Sequence, residues 1–230
     1  MLRVEGLNGY YGASHVLFDV DLHVAPGEVV ALLGRNGAGK TTTMASIIGF
    51  LRHRSGSISI DGRQLDHLAP HKRIRAGLGF VPQSGRPFRG LSVRENLEIV
   101  RGRTMTAGWS VNQVFEVFPA LREIAARDAG LLSGGQRQML AVARALMTNP
   151  SIILLDEPTE GLAPVIVQTV GALVRRLRDE GIGVLLAEQN QRFALAVSDR
   201  GYLMEKGRIQ HEAPAAQLVD SEEMRRYLGV

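Results

Sequence analysis

Gly34-Arg35-Asn36-Gly37-Ala38-Gly39-Lys40-Thr41 fits the pattern G-x-x-x-x-G-K-[ST]. Glycines at these places let a backbone turn through positive φ and come close to a ligand. Successive N–H groups can then cradle phosphate oxygens at the start of a helix. Lys40 is placed to reach the β- and γ-phosphates of a nucleotide, and the Thr41 hydroxyl to hold Mg²⁺. Lys40, Lys72 and Lys206 are the lysines of the chain, and the other basic residues are arginines and histidines. Farther along, Asp156 and Glu157 close the apolar run Ile152–Leu155. Where a phosphate loop lies upstream, such an aspartate serves Mg²⁺, and the next glutamate can orient an attacking water or take its proton. A third string, Leu132-Ser133-Gly134-Gly135-Gln136, places two glycines at a helix start. It is a second backbone nest for an anion. The chain already has one phosphate loop, so this nest suits a nucleotide held by another subunit.

The elements around these strings follow from pattern. Val29-Val30-Ala31-Leu32-Leu33 reads as a buried strand feeding the phosphate loop, and Thr42 to Phe50 as the helix leaving it. Leu2, Val4 and Leu7 fall in one short β-like run. Val16 to Val24 alternates in its second half like a half-buried strand, and Ser57-Ile58-Ser59-Ile60 alternates up to the hairpin signal Asp61-Gly62. Gly79 to Gln83 is a short strand stopped by Pro82, and Ser84 to Gly90 is a loop. Ser92-Val93-Arg94-Glu95 is a capping box that starts a helix toward Val100. Val111–Val117 is helical and breaks at Pro119, and Ser133 to Gln136 is a second capping box opening a helix to Met147. Ile152–Leu155 and Val184–Ala187 read as buried parallel strands, with a helix from Pro164 to Glu180 between them. Phe193–Val197 is helical, Gly201–Lys206 and Arg208–Gln210 resemble a hairpin, and Ser221 caps a last helix. Strands and helices thus alternate around the phosphate loop. Residues 84–148 carry no strand signal and read as an α-helical insertion into an α/β core.

Composition narrows the class further. A chain of 230 residues with 45% hydrophobic and 22% charged residues is ample for a packed core. It has no cysteine, so neither a disulfide framework nor thiolate chemistry is available. The opening Met1-Leu2-Arg3-Val4-Glu5 lacks a signal-peptide pattern, and no stretch approaches the apolar length of a membrane span. A soluble cytoplasmic protein is the expectation. The net charge of +4 is modest and aromatics are only 5%, which is not the basic, aromatic-laced footprint of a nucleic-acid binder. Arg52-His53-Arg54, His71-Lys72-Arg73 and Arg175-Arg176 read as solvated basic faces.

Taken together, the strings resemble those of the nucleotide-binding subunits of ATP-binding-cassette (ABC) transporters, over essentially the whole chain and in the same order. Gly34–Thr41 looks like the Walker A loop, Gln83 like the Q-loop glutamine, Leu132–Gln136 like the LSGGQ signature, and Ile152–Asp156 like Walker B with Glu157 as catalytic glutamate. The resemblance implies a P-loop NTPase core of mainly parallel sheet with an antiparallel β-subdomain and an inserted α-helical subdomain. It implies a single ABC ATPase domain over 1–230, with 1–83 and 149–230 forming the nucleotide-binding core and about 84–148 the helical subdomain. It also implies the ligands ATP and Mg²⁺. Tyr11 would stack on adenine and Val16 touch the nucleoside. Asn36, Gly37, Ala38, Gly39, Lys40, Thr41 and Thr42 would hold the phosphates, and Thr41, Asp156 and Gln83 the metal. Ser133, Gly135 and Gln136 would face the nucleotide of a second cassette paired head to tail.

Two departures from the family pattern stand out. The histidine usual after the strand following Walker B is replaced in Ala187-Glu188-Gln189-Asn190 by Gln189, which can hydrogen-bond a phosphate but cannot become cationic. The usual S-x-L-D reads Glu160-Gly161-Leu162-Ala163, without its aspartate. These strings, with Tyr10-Tyr11-Gly12 and Tyr227-Leu228-Gly229, resemble the smaller ATPase of branched-chain amino-acid importers, with urea and amide importers as near relatives. The implied catalytic set is Glu157, Gln83 and Gln189. The implied partners are a second ABC ATPase subunit (the same chain or a longer relative), two transmembrane permease subunits and, indirectly, an extracytoplasmic solute-binding protein, with no nucleic acid. A groove around Gln83–Val100 would receive a permease helix. The implied location is the cytoplasmic face of the inner membrane, peripherally through the permeases. An exporter ATPase for lipid or lipopolysaccharide, and a cassette protein acting on ribosomes or DNA, are the alternatives.

Overall fold

The structure is a computed structural model that describes residues 1–51, 53–83, 85–100 and 108–229, without the side chains of His53 and Arg54. Two sheets organise it. The smaller contains β1 (Leu2–Tyr11), β2 (Ser14–Val24), β4 (His53–Ile60) and β5 (Arg63–Gln64), all antiparallel, in the order β2-β1-β4-β5. The larger contains β3 (Val29–Leu33), β6 (Leu78–Val81), β7 (Ile152–Asp156), β8 (Gly183–Glu188), β9 (Arg200–Glu205) and β10 (Arg208–Pro214). Its order is β10-β9-β3-β8-β7-β6, and only the edge pair β10–β9 is antiparallel. This is the expected mainly parallel core with an antiparallel sheet beside it.

The buried parallel strands read as unbroken apolar runs because both faces are covered. Val29, Ala31, Leu33, Ile153 and Leu155 point into one core, with residues of α6 (Gly134–Leu146) and α7 (Pro164–Asp179). Val30, Leu32, Leu154 and Leu185 point into the other, with α1 (Lys40–Ile48) and the small sheet. The one-residue alternation is the two-residue period of a strand. Asp61-Gly62 and Lys206-Gly207 both have positive φ at two successive residues, the conformation of a tight hairpin turn.

Between β6 and β7, α3 (Val93–Glu98), α4 (Val111–Val117), α5 (Pro119–Glu123) and α6 contribute no strand among the described residues. The capping boxes expected at Ser92 and Ser133 are formed, and Ser110 forms another. Pro119 does end the helix before it, but it also opens α5, since proline suits a first helical turn. The short helices α2 (Pro70–Arg75) and α9 (Ala215–Leu218) are further elements that periodicity had missed, while α8 (Gln191–Val197) and α10 (Glu222–Leu228) fall where expected.

Among the basic clusters, Arg175 and Arg176 are exposed, and Arg52 lies outside the described residues. Arg73 corrects its reading as part of a solvated face. It is 2% exposed, and its guanidinium donates to the carbonyls of Ser46, Ile47, Asp66 and Leu68 at 2.7–3.1 Å. The first two acceptors lie in the last turn of α1, where carbonyls run short of intrahelical donors, and Ser46 O also accepts from Gly49 N at 3.2 Å. An arginine therefore closes the far end of the phosphate-loop helix.

Candidate functional site

Parallel strands in the order β3-β8-β7 bring three C-terminal ends side by side, where ligands bind in open α/β sheets. In register, Leu33 pairs with Glu188, and Ala187 with Asp156. The glycine-rich loop leaves β3, Asp156 and Glu157 leave β7, and Gln189 leaves β8 between them. Gln83 follows β6 at the sheet edge.

The loop itself is set by backbone conformation. Gly37 and Gly39 have φ of 80° and 115°, and the amide of Ala38 donates to Arg35 O at 3.0 Å. Gly39 precedes α1, whose start has no side-chain cap and no acidic residue in its first turn. Its N–H groups and the positive end of the helix dipole therefore face whatever enters the loop. The β9–β10 turn braces this loop: Gly207 donates to Ala38 O at 2.8 Å and accepts from Phe18 N at 2.9 Å. A Cβ at Gly207 would lie 2.0 Å from Val16 O, so only glycine allows this approach.

A cleft of about 340 Å³ opens over the loop, lined by Val16, Arg35 to Thr42, Gln83, Glu157 and Glu160. Inside it, Lys40 is 4% exposed. Its ammonium lies 3.0 Å from Glu157 Oε1 and donates to Gly34 O at 2.7 Å and Arg35 O at 3.4 Å. A buried ammonium must be paired, and Glu157 supplies the countercharge. Glu157 sits at φ 46°, an uncommon conformation for a non-glycine residue, held by its N–H to Ala187 O at 2.9 Å. Gln83 Nε2 donates to Glu157 Oε2 at 3.2 Å and also to Glu160. Thr41 Oγ1 donates to Asp156 Oδ1 at 3.2 Å. Burial pushes the Asp156 carboxyl up to about 6 from 3.8, with Thr41 opposing the shift and the charge of Glu157 adding to it. The Lys40 charge also holds the carboxyl down, and a hydroxyl beside a desolvated carboxylate is a hard-oxygen pair suited to Mg²⁺. No group of three His, Cys, Asp or Glu side chains suited to a metal occurs among the described residues.

The other predicted residues lie elsewhere. Tyr11, 53% exposed, ends β1. Gln189 lines a neighbouring cleft of about 540 Å³ with Gly34, Arg35, Asn36, Gln191 and Leu228. Ser133, Gly135 and Gln136 belong to neither cleft. Ser133 accepts from Gln136 N at 3.3 Å, and the Gln136 side chain accepts from Ser133 N at 3.0 Å. The groove near Gln83–Val100 is lined by Ile74, Phe80, Pro82, Val100 and Arg144 among others.

Two residues of this region had been missed. Glu160 stood only as a departure from a family string, yet it lines the cleft and holds Gln83. Glu188 is 2% exposed and takes four hydrogen bonds. A charged residue closing the otherwise apolar run Val184–Ala187 was its signal in the sequence.

A glycine loop on a buried lysine, facing an aspartate and a glutamate from the end of the strand next but one, defines a phosphate-loop nucleoside triphosphatase. The family model described as ABC transporter matches residues 17–160, and the chain belongs to that family, as an ATP-binding, ATP-hydrolysing subunit. Over 232 residues it is 41% identical to the high-affinity branched-chain amino acid transport ATP-binding protein BraG of Pseudomonas aeruginosa, covering 100% of both chains. To the lipopolysaccharide export system ATP-binding protein LptB of Escherichia coli it is 39% identical, over 99% of this chain and 97% of LptB. Among solved structures, the ADP conformation of MJ1267, an ATP-binding cassette of an ABC transporter, superposes with a TM-score of 0.84 at 28% identity, covering 99% of this chain and 97% of that one. The dimeric structure of MJ0796, a bacterial ABC transporter cassette, does so with a TM-score of 0.82 at 26% identity, covering 94% and 99%. Cassettes of this family dimerise and work with permease subunits. No helix among the described residues is long and apolar enough to cross a membrane.

Proposed function

We propose that this subunit hydrolyses MgATP to drive uptake of a small polar solute, a branched-chain amino acid, through two permease subunits at the cytoplasmic face of the inner membrane. The full-length similarity to BraG carries the solute assignment. LptB at 39% favours a second reading, an exporter ATPase for lipopolysaccharide. Deleting the gene in its source organism and measuring uptake of radiolabelled leucine tests between them. High-affinity uptake should fall at least tenfold. Normal uptake with a defect in outer-membrane lipid would overturn the import reading.

In the proposed mechanism the N–H groups of Gly37 to Thr42 and Lys40 hold the phosphates, and Asn36 borders them. Tyr11 stacks on adenine, and Val16 touches the nucleoside. Lys40 must then leave Glu157, which frees that carboxylate to orient the attacking water and accept its proton. Thr41 and Asp156 would hold Mg²⁺, joined by Gln83 once released from Glu157 and Glu160. The metal would supply charge neutralisation at the β- and γ-phosphates. Gln189 hydrogen-bonds the γ-phosphate from the β8 side. Ser133, Gly135 and Gln136 contact the ATP of a second cassette, the same chain or a longer relative, and the groove near Val100 takes a permease helix. A solute-binding protein acts through the permeases. Residues 1–83 and 149–230 act as the nucleotide-binding core and 84–148 as the helical subdomain. Supporting this reading are the shared cleft of Lys40, Thr41, Gln83 and Glu157 and the contact of Thr41 with Asp156.

A further inference from the structure

Glu188 has no part in that mechanism, yet it is among the most heavily bonded side chains near the site. Its Oε1 accepts from Thr159 N at 3.1 Å and Thr159 Oγ1 at 2.6 Å, and its Oε2 accepts from Gln189 N at 3.1 Å and Asn190 N at 3.2 Å. One carboxylate thus joins two loops that are far apart in sequence. Thr159, itself 6% exposed, belongs to the turn that begins at Glu157 and runs on to Glu160. Gln189 and Asn190 begin the loop after β8.

Burying a carboxylate is costly and is tolerated when good donors surround it. Here both oxygens have two donors each, and the bonds are of the stronger, charge-assisted kind. The burden is visible in the carboxyl, which burial pushes up despite those donors. The sheet does not need this charge. β8 is apolar up to Ala187, and an apolar side chain at 188 would continue it. Gln189, Asn190 and Glu160 are exposed, so water can reach the loops that the carboxylate ties together.

We infer that Glu188 is a positioning residue that locks the Glu157–Glu160 turn to the Gln189 peptide, so that the two sides of the γ-phosphate position move as one body. The inference rests on the proposed role of Gln189 at the γ-phosphate. A neutral glutamine contributes through placement alone, because it cannot add a charge that acts over distance. Glu188 supplies that placement. Glu157 completes the link from the other side, since its own N–H is bonded to Ala187 O, next to Glu188.

The test is steady-state ATP hydrolysis by the full-length chain, with nucleotide binding measured in parallel. E188Q keeps size and one acceptor, but its amide N–H₂ opposes either the Thr159 donors or those of Gln189 and Asn190. We expect kcat to fall about tenfold while KM for MgATP stays within about twofold, the pattern of a lost transition-state interaction. T159V removes the shortest of the four bonds and should lower kcat about threefold, again at constant KM. On a Q189A background both substitutions should add less than twofold, because positioned and positioner are one unit. If E188Q fails to fold, T159V and its cycle with Q189A carry the same decision. Unchanged kcat in T159V, or multiplicative effects with Q189A, would overturn the lock. If Q189A itself hydrolyses ATP like the wild type, it is the role of Gln189 that falls, and the lock with it. If Q189A is slow while T159V is normal, the lock alone falls.

Discussion

Two glycine-rich strings open helices in this chain, and they are built to opposite ends. The loop before α1 leaves its first turn open: no side chain caps it, Gly39 sits at φ 115°, and a buried lysine waits inside the cleft. The loop before α6 closes on itself, because Ser133 and Gln136 satisfy each other's backbone amides. The first is a complete cradle that needs a ligand. The second already spends its capping groups and borders neither cleft around the phosphate loop. Similar composition therefore does not mean similar readiness. In the proposed mechanism the first loop holds its anion with this chain's groups alone, whereas the second works against a nucleotide on a partner cassette.

The contrast is broken most sharply at Lys40. K40A removes the proposed phosphate ligand and also leaves Glu157 as a buried carboxylate without its partner at 3.0 Å. ATP hydrolysis should fall at least about a hundredfold, and unfolding should come at lower temperature, since breaking a buried pair costs about 3–5 kcal/mol in general. Turnover near wild type in an ATPase assay would remove the cradle assignment. E157Q comes next. Hydrolysis should fall by about two orders of magnitude, the scale of losing a general base, while ATP still binds. Chromatography with MgATP should then show an accumulated dimer. Normal turnover would mean that another residue orients the water.

S133A sharpens the comparison from the other side. It deletes a helix cap, worth about 1 kcal/mol, and so should lower Tm by about 2–4 °C in a chain of this size. ATP binding to dilute, monomeric protein should stay unchanged, while turnover at concentrations that favour the dimer falls several-fold. Weaker ATP binding by the monomer would show that the second loop serves its own chain's nucleotide.

Much of this contrast was legible in the sequence. The glycine–lysine–threonine spacing carried the phosphate loop, because a tight turn through positive φ tolerates few other residues, and Ser133 to Gln136 spelled its capping box outright. Alternation and apolar runs marked β3, β7 and β8, since burial on both faces leaves a clear pattern. What escaped were residues whose role depends on what lies across the fold. Arg73 looked like one of three solvated basic residues until α1 delivered its last carbonyls to it. Glu160 and Glu188 meet Gln83 and Thr159 only because β6, β7 and β8 lie side by side. Short helices such as α2 and α9 span too few residues to show a period.

The smallest expected effect tests what the open site costs the fold. Asp156 has its carboxyl raised from 3.8 to about 6, mainly by burial. A raised carboxyl means that the folded, ligand-free chain holds a proton which the unfolded chain has already released. Its contribution to stability is therefore lost as pH rises from about 4 to about 6, and above that the buried charge is a standing cost. Lys40 limits the cost, and the Thr41 bond at 3.2 Å lowers it further. D156N removes the charge and keeps an oxygen for Thr41. At pH 7.5 without nucleotide, D156N should melt about 2–4 °C above the wild type, on the order of 1 kcal/mol, and the gap should narrow as pH falls below about 6 and close near pH 4. The same substitution should depress Mg²⁺-dependent hydrolysis. A D156N chain that is less stable than the wild type at pH 7.5 would mean that the Asp156 charge supports the fold around the site instead of burdening it. The open loop would then be as self-satisfied as the closed one.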